Sequence, residues 1–337
     1  MKHLLKTLTE AFGPSGHEDA VRDVVLKEIK PLADEIRTDA LGNLIARKKP
    51  APGAKAPKRV MLAAHMDEIG VIASHVDKNG FVRFTNIGGV FGRYTLSARV
   101  RFINGVKGVI GYDKLEGFHD APPISKMYID VGATSPADCP VKVGDIAVFE
   151  QAFTELGNNR IAAKSLDDRA GVAALIETLR ALKSTPNDVY FVFTTQEEVG
   201  SRGAGAAAYG IAPDLAIAVD VTPTGDTPAS SKMTMELGKG PCVKIRDVGM
   251  LADPRIVNWM SKTAEKAKIP YQREVLLIGS TDAQAIQTVR AGIPSGAVSI
   301  PVRYVHSASE IVDLSDMTHV VKLLTALLSK PINIGQA

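Results

Sequence analysis

The sequence predicts an α/β fold with a mostly parallel sheet, helices on both of its faces, and an inserted all-β, barrel-like domain. Two observations predict it. From Ile161 onward, helical and strand patterns alternate along the chain, which is typical of a parallel sheet covered by helices. Between about Val71 and Glu155, only short alternating or β-branched runs occur. This change of pattern indicates that a β domain interrupts the α/β domain.

The composition agrees with a globular protein that has more than one core. The chain has 337 residues, of which 45% are hydrophobic and 23% are charged, and a chain of this length usually exceeds a single core. The net charge is +3 without a long basic block, and aromatic residues make up 5%, so neither nucleic acid nor a membrane surface is an expected partner. Cys139 and Cys242 are not at the spacing of zinc ligands. No apolar stretch is suited to a signal peptide or a membrane span. We therefore expect a cytoplasmic protein.

The elements before the insert follow from residue spacing. Apolar residues at helical spacing in "VRDVVLKEIKPLADEI" predict a helix, and "RTDALGNLIARKK" predicts a hairpin with a tight "LGN" turn. The run "RVMLAAHMDEIG" predicts a short buried strand that ends at His65 and Asp67. Within the insert, Asn79-Gly80 and Asn104-Gly105 are hairpin signals.

After the insert, helices and strands alternate. Asp167 or Asp168 would cap a helix in "DDRAGVAALIETLRALKS", which is followed by the strand "DVYFVFTT", a helix that begins in "GAGAAAYG" and the strand "DLAIAVDVT". The helix "DPRIVNWMSKTAEKAKI", the strand "GAVSIPV" and the helix "DMTHVVKLLTALLSK" complete the chain. We therefore expect a catalytic α/β domain in two parts, residues 1–66 and 160–337, and an inserted β domain, residues 67–159.

Histidines and carboxylates stand where the predicted strands end. Open α/β sheets bind their ligands outside the carboxyl ends of the strands. The residues at those ends, or at the start of the following helix, are His65, Asp67, Asp167, Asp168, Glu197, Glu198, Asp220 and His306. Each has an ordinary explanation by itself, such as a helix cap for Asp167 or Asp168 and a turn for Asp220. Their shared position at one edge of one sheet instead predicts a metal site.

The kinds of side chain indicate the metal and the chemistry. Nitrogen and oxygen ligands without thiolates suit Zn²⁺, Co²⁺ or Mn²⁺, and an excess of carboxylates over histidines suits two ions bridged by one aspartate. Asp67 could receive the second ring N–H of a metal-bound His65. Of the adjacent Glu197 and Glu198, one can be a ligand, which leaves the other as a base beside a metal-activated water.

Two other kinds of chemistry fit the same region less well. The segment "GAGAAA" at 203–208 matches the dinucleotide pattern G-x-G-x-x-A, with Asp220 at the distance of a ribose-binding acid. However, "QEEVGSR" separates it from its strand and would bring two negative charges toward a pyrophosphate.

Glycoside hydrolysis needs two carboxylates on either side of a bond. Glu197 and Glu198 are adjacent in the chain and are therefore poorly placed to supply them.

Five ordered motifs resemble a known family. The segments "AAHMDEIG", "KSLDDRAG", "TTQEEVGSRGA", "VDVT" and "RYVHS" are similar to those of the tetrahedral (TET-type) di-metal aminopeptidases, relatives of glutamyl and deblocking aminopeptidases, some of which are labelled endoglucanases. The resemblance covers nearly the whole chain and implies a di-zinc exopeptidase-like catalytic domain with a β insert. It implies two Zn or Co ions held by the metal ligands His65, Asp167, Glu198, Asp220 and His306.

The resemblance also implies a mechanism and an assembly. Asp167 would bridge the ions, Glu197 would be the general base, and Asp67 would orient His65. A hydroxide between the ions would then release the N-terminal residue of a short peptide that has a free amino end. The subunits would form dimers and often a dodecamer, with the insert contributing to subunit contacts and substrate access. The alternatives are a related di-metal carboxypeptidase, an N-acyl-amino-acid deacylase, and a metal-dependent scaffold without activity.

Two further segments bear on the comparison with the family pattern. In the insert, residues 113–126 depart from the "KPPH" type of segment that the family has before its "YIDIGA". In the catalytic part, "STDA" resembles a "GTDA" element of the family, which would place Asp282 at the substrate pocket; a helix cap is the alternative for this residue.

Overall fold

The computed structural model of the chain describes residues 1–114 and 121–335. Residues 115–120 lie outside the described residues. They form the middle part of the divergent segment 113–126. The helices of the described residues are α1 (Lys2–Glu10), α2 (Asp19–Ile29), α3 (Gly92–Thr95), α4 (Leu166–Ala181), α5 (Arg202–Ile211), α6 (Pro254–Ala267), α7 (Ala283–Ile286) and α8 (Leu314–Leu328).

The strands belong to one large sheet and one closed barrel. In chain order they are β1 (Glu35–Thr38), β2 (Leu44–Lys48), β3 (Arg59–His65), β4 (Gly70–Val76), β5 (Val82–Ile87), β6 (Arg99–Phe102), β7 (Lys107–Tyr112), β8 (Met127–Asp130), β9 (Ile146–Phe149), β10 (Thr154–Leu156), β11 (Arg160–Ala163), β12 (Asp188–Thr194), β13 (Leu215–Pro223), β14 (Cys242–Arg246), β15 (Gln272–Val275), β16 (Ser295–Arg303) and β17 (Glu310–Asp313). The fold prediction, an α/β domain with an inserted β barrel, is confirmed.

The large sheet combines parallel and antiparallel strand pairs. Its strand order is β1-β2-β12-β3-β13-β16-β17-β11-β10, and β14 pairs with β16 on one side and β15 on the other. The pairs β12–β3, β3–β13 and β13–β16 are parallel, whereas the flanking pairs β1–β2, β2–β12, β16–β17 and β11–β17 are antiparallel. The sheet is therefore mixed, with parallel pairs at its centre and a further parallel pair, β14–β15, which α6 connects.

Helices cover both faces of this sheet. The main core packs α1, α2, α4, α6 and α8 against one face, and α4, which is buried along nearly its whole length, lies at the centre. A smaller cluster packs the alanines of α5 against the other face, together with Ile286 of α7. Among the described residues, no helix is both long and apolar enough to cross a membrane.

Helix α1 is tied to the centre of the molecule by a buried arginine. The guanidinium of Arg169, which is fully buried, donates hydrogen bonds to the backbone carbonyls of Leu8, Gly13 and Met66. The sequence analysis does not predict α1, because nine residues with few flanking signals give a weak pattern. The chain after α1 thereby lies against the segment that follows β3.

The insert forms a barrel with its own core. Strands β4 to β9 close in the order β4-β5-β8-β7-β6-β9 around a separate hydrophobic cluster. The predicted hairpins at Asn79-Gly80 and Asn104-Gly105 are confirmed, since they connect β4 to β5 and β6 to β7. Gly80 and Gly105 have φ values of +87° and +86°, which a turn of this kind requires.

Candidate metal centre

The central parallel strands bring the predicted site residues to one edge of the sheet. Strand β3 ends at His65, and in the adjacent β12 Thr194 lies opposite His65, so that Glu197 and Glu198 follow at the same edge. Asp220 lies near the end of β13, and His306 follows β16. The fifth segment is the start of α4, where Asp167 and Asp168 precede the regular helix.

Asp167 lies between two histidines. Its Oδ1 is 3.1 Å from Nε2 of His65, and its Oδ2 is 3.2 Å from Nε2 of His306. Asp220 Oδ1 is 3.8 Å from His65 Nε2, and Glu198 Oε1 is 3.3 Å from His306 Nε2. The structure thus brings together two groups of side chains, one around each histidine, and a single carboxylate contacts both.

Asp168 also lies near this centre, but its oxygens are engaged by the backbone. The ligand atoms of His65, Asp168 and Asp220 lie within 4.8 Å of one another. However, Asp168 Oδ1 accepts the N–H of Gly171 at 3.0 Å, and Oδ2 accepts the N–H of His65 at 3.2 Å. Asp168 therefore caps the regular part of α4, as one of the two sequence alternatives predicted, and Asp167 is left to face the histidines.

The carboxylate of Asp67 holds the loop that carries the two glutamates. It accepts the backbone N–H groups of Glu197 at 3.0 Å and Glu198 at 3.1 Å, and the hydroxyl of Ser15 at 2.6 Å. Its Oδ1 is 3.5 Å from His65 Nδ1, whereas the carbonyl oxygen of Asp67 is only 3.0 Å from that nitrogen. Asp67 thus contacts His65 through both its backbone and its side chain, and it also positions the loop.

The buried acids of the centre are difficult to ionise without a cation. Burial raises the pKa of Asp220 to about 8, and burial together with Asp220, Asp282 and Glu198 raises the pKa of Glu197 well above its ordinary value. Glu198 Oε1 is buried and makes no hydrogen bond of good geometry, although His306 Nε2 lies 3.3 Å away. Buried carboxylates without donors are costly unless a cation is present. This donor set of nitrogen and oxygen atoms therefore fits divalent metal ions.

The histidines respond to the same carboxylates. Burial opposes the charged form of His306, but Glu198 and Asp167 outweigh it and raise the pKa of His306 to about 12. For Asp167, burial favours the neutral form, yet hydrogen bonds with His306 and His65 lower its pKa below the ordinary value. The same carboxylates thus favour both the protonated imidazoles and a bound cation, and a metal ion would displace these protons on binding.

The backbone around the centre is held in an uncommon conformation. The residues in the left-handed region next to the ligands are Ser165, Gln196, Ser201, Tyr304 and His306, with φ between +51° and +63°. Such positions cost on the order of 1 kcal/mol or more for residues other than glycine, and they are typically found at functional sites. Because these residues lie on three separate loops, we infer that the surrounding structure holds each loop in the conformation that directs its side chains toward the centre.

The insert closes one side of the centre with two glycines. A Cβ atom on Gly89 would lie 2.4 Å from Nδ1 of His306, and one on Gly88 would lie 2.8 Å from Oε2 of Glu198. Both distances are too short for any side chain, so the segment after β5 approaches these two residues only because it lacks side chains there. The sequence analysis did not single out these glycines.

Three polar residues that support the centre were also missed. Glu310 accepts the N–H of Asp167 at 3.0 Å and that of His306 at 2.8 Å, and Glu18 accepts the N–H of Gln196 at 3.1 Å. The third is Ser15, which binds Asp67 as described above. Ser15 and Glu18 belong to the "GPSGHEDA" segment before α2, whose density of turn residues was the available signal. The sequence gives no such signal for Glu310, because the role of this residue depends on the fold around His306.

Asp282 lies beside the centre without capping its helix. Its Oδ2 accepts a 2.5 Å hydrogen bond from the hydroxyl of Thr194, and its side chain makes no capping bond to α7. Burial raises the pKa of Asp282 to about 6. The structure therefore argues against the cap, and a role at the substrate pocket stays a prediction.

Comparisons with known proteins agree with this site. The model of the family described as M42 glutamyl aminopeptidase matches residues 42–323. The chain belongs to the M42 family. A lysyl aminopeptidase of Pyrococcus furiosus is 38% identical over 341 residues, which cover 97% of this chain and 96% of that protein. Members of this family are metal-dependent aminopeptidases, so the chain is an aminopeptidase and a hydrolase.

Solved structures of M42 relatives share the fold over the whole chain. An aminopeptidase from the archaeon Desulfurococcus kamchatkensis is 41% identical, with a TM-score of 0.93 over 98% of this chain and 94% of that one. The TET1 peptidase of Pyrococcus horikoshii, described as able to assemble into a tetrahedron or a large octahedral shell, is 34% identical. Its TM-score is 0.86 over 97% of this chain and 98% of that one. The resemblance proposed from the five motifs is thus confirmed.

The M42 assignment decides between the alternatives raised by the sequence. It favours an aminopeptidase over the carboxypeptidase, the deacylase and the scaffold without activity. Gly203 of the nucleotide-like pattern also has a packing role, because a Cβ on this residue would lie 2.3 Å from Oδ1 of Asn43. That glycine lies within α5 and allows the helix to pack closely against the neighbouring loop.

Proposed function

We propose that this M42 aminopeptidase holds two divalent ions and uses Glu197 as its general base. His65 and Asp220 would hold one ion, Glu198 and His306 the other, and Asp167 would bind both. The observation that carries the proposal is the position of Asp167, whose two carboxylate oxygens face two different histidines at 3.1 and 3.2 Å. Zn²⁺ and Co²⁺ suit this set of ligands best.

The residues of this chain then have distinct tasks in peptide hydrolysis. When bound, the ions would activate a water molecule and polarise the first peptide carbonyl of a short peptide with a free amino end. Glu197 takes a proton from the attacking water and delivers it to the nitrogen of the leaving peptide, which completes the cleavage. Ser201 donates a hydrogen bond to Oε1 of Glu197 at 3.0 Å and thereby leaves Oε2 to exchange the proton. Asp67 holds the backbone of Glu197 so that this carboxylate stays at the centre.

The proposal includes the assembly and the location of the protein. The related TET1 peptidase forms closed shells, and the insert of this chain exposes Ile103, Val109, Tyr112 and Val143, each with 47–67% of its surface accessible. We assign these apolar side chains to contacts in a homo-oligomer of dimers, up to a dodecamer, with the insert controlling access of peptides. Cys139 and Cys242 are both free thiols, which suits a cytoplasmic location.

The test combines metal removal with a choice of substrate. We expect exhaustive chelation to abolish hydrolysis of leucine p-nitroanilide, and Co²⁺ or Zn²⁺ to restore it at about two ions per subunit by metal analysis. An N-acyl-leucine should not be cleaved under any of these conditions. Full turnover after complete metal removal, or recovery with one ion per subunit, would contradict the two-ion proposal, and cleavage of the N-acyl substrate alone would favour a deacylase.

A further inference from the structure

A short segment of the insert forms an aromatic ledge beside the centre. This ledge consists of Phe91, Arg93 and Tyr94, and it follows the two glycines that contact Glu198 and His306. The ring of Phe91 stacks on the imidazole of His306, with centroids 6.2 Å apart and planes at 27°. The exposed fraction of Phe91 is 43%, so the ledge faces open space beside a histidine of the centre.

The guanidinium of Arg93 is held in place on this ledge. Its Cζ atom lies 4.9 Å from the ring centre of Phe91 and 4.8 Å from that of Tyr94. The two rings contact each other edge to face, with centroids 6.3 Å apart. Cation–π contacts with two rings restrict the side chain without occupying its N–H groups, which remain able to bind an anion.

Arg93 differs in this respect from three arginines that pair with carboxylates. Arg47, Arg83 and Arg303 each have a carboxylate oxygen within 3.0 Å. Within residues 1–114 and 121–335, the structure gives Arg93 contacts with aromatic rings and no ion pair. A charged side chain that is ordered by its neighbours and presents unused donors is suited to a ligand, and a carboxylate matches the fork of a guanidinium best.

We infer that Arg93 binds a carboxylate of the peptide substrate, two to three residues after the cleaved bond. This inference rests on the proposed function, because it takes the cleaved bond to lie at the centre between His65 and His306. The two ring distances together place the guanidinium within about 11 Å of the imidazole of His306. This distance is an upper bound, and an extended chain covers about 3.3–3.6 Å per residue, so at most about three residues fit between the two groups. We therefore expect short peptides of up to four residues with a free carboxyl end to be preferred.

The same carboxylate chemistry could come from the chain end or from an acidic side chain. A tripeptide such as Leu-Gly-Gly carries it at its terminus, whereas an amidated peptide with aspartate at the third position carries it on a side chain. Both sources place a negative charge at a similar distance from the cleaved bond. The terminus is the source we assign, because every unmodified peptide carries a carboxylate there whatever its sequence.

The experiment compares matched peptides on the metal-loaded protein. For the wild type, we expect kcat/KM for Leu-Gly-Gly to exceed that for its C-terminal amide by about tenfold, mainly through KM, as expected for a charge-assisted hydrogen bond. A comparison of Leu-Gly-Asp-amide with Leu-Gly-Asn-amide tests whether an acidic side chain at the third position can supply the carboxylate instead; we refer to this pair as the aspartate arm. In Arg93→Met the acid-to-amide ratio should fall toward one, and Arg93→Lys should retain part of it because the charge remains.

Arg99→Met is the matched control, since Arg99 is exposed on the same barrel but is not part of the ledge. It should keep the wild-type ratio, and far-UV circular dichroism should show that all variants are folded. A wild-type ratio near one, or a ratio that Arg93→Met leaves unchanged, would overturn the inference. A preference found only in the aspartate arm would overturn the assignment to the chain end.

Calorimetric binding of the same peptides separates this inference from the proposed function. If neither peptide is cleaved but Leu-Gly-Gly still binds about tenfold more tightly than its amide, and only when Arg93 is present, the carboxylate site stands and the proposed function fails. If both peptides are cleaved without any difference in rate or affinity, the proposed function stands and the carboxylate site fails.

Discussion

At the scale of single residues, the centre is defined by unbalanced charge. Asp167 contacts two histidines, Glu198 has a buried oxygen without a hydrogen bond of good geometry, and Asp220 has a pKa of about 8 because of its burial. These properties have a shared cause, which is that several carboxylates occupy a space from which water is largely excluded. Divalent ions at the centre would balance this charge and let the acids ionise.

Substitution of the two adjacent glutamates separates their proposed roles. Glu197→Gln should retain both ions, because the amide preserves the shape of the side chain, while kcat falls by about 10²-fold or more with a modest change in KM. Glu198→Gln should lose metal first, and excess metal should restore part of its activity. The measurement is metal content per subunit beside kcat, with Glu155→Gln, whose side chain is 63% exposed, as the control for loss of a charge.

Two other outcomes for these variants would contradict the proposed roles. If Glu197→Gln loses metal while Glu198→Gln keeps it without activity, the two roles are exchanged. If both variants keep their metal and near-normal rates, neither carboxylate takes part in the chemistry.

At the scale of elements, the insert takes part in building the centre. The segment between β5 and α3 leaves the barrel, passes Glu198 and His306 at Gly88 and Gly89, and continues into the aromatic ledge. The loop after β12 is fixed from the other side by Asp67 and Glu18. The ligands of one proposed ion are thus held between an element of the barrel and an element of the α/β domain.

Gly89→Ala tests this close approach. Its Cβ would lie 2.4 Å from Nδ1 of His306, so the imidazole or the loop must move, and we expect loss of about one ion per subunit with at least tenfold lower kcat/KM. Gly157→Ala is the matched control, because no atom lies within 4 Å of its added Cβ. Metal analysis and peptide hydrolysis of both variants give the answer. Full metal content and normal activity in Gly89→Ala would show that the barrel does not constrain this ligand.

At the scale of the whole molecule, the α/β domain and the barrel both contribute residues to the centre. The α/β domain and the barrel each have their own hydrophobic cluster, and the barrel also exposes apolar side chains on its outer surface. An exposed apolar surface on an inserted domain is a common feature of subunit interfaces. The barrel can therefore take part in the proposed subunit contacts while its Gly88 and Gly89 approach two residues of the centre.

The assembly prediction concerns the mass of the protein in solution. We expect light scattering at micromolar concentration to give a mass well above the 35.9 kDa of one chain, up to a twelve-subunit assembly. A Val109→Lys change on the barrel should lower that mass, because it places a charge in the proposed contact. A mass near 35.9 kDa for the wild type would rule out the assembly, whereas a dimer would exclude the shell alone.

The amino-acid sequence alone predicted the class of fold and most of the ionisable side chains that the structure brings together at the centre. Parallel strands that alternate with helices end at one edge of a sheet, so residues such as His65, Asp220 and His306 could be placed together although they are far apart in the chain. The inserted barrel followed from the change of period near Val71. These features depend on local spacing, which a sequence displays directly.

Only the tertiary structure decided the contacts within the centre. Asp167 and Asp168 are neighbours of the same kind, and the fold alone shows that Asp168 is bound by backbone N–H groups while Asp167 faces both histidines. Glu310 and Gly89 act on His306 across other elements, and no sequence period encodes such contacts. The physical reason is that strand register and packing set which distant groups meet, and these depend on the whole folded chain.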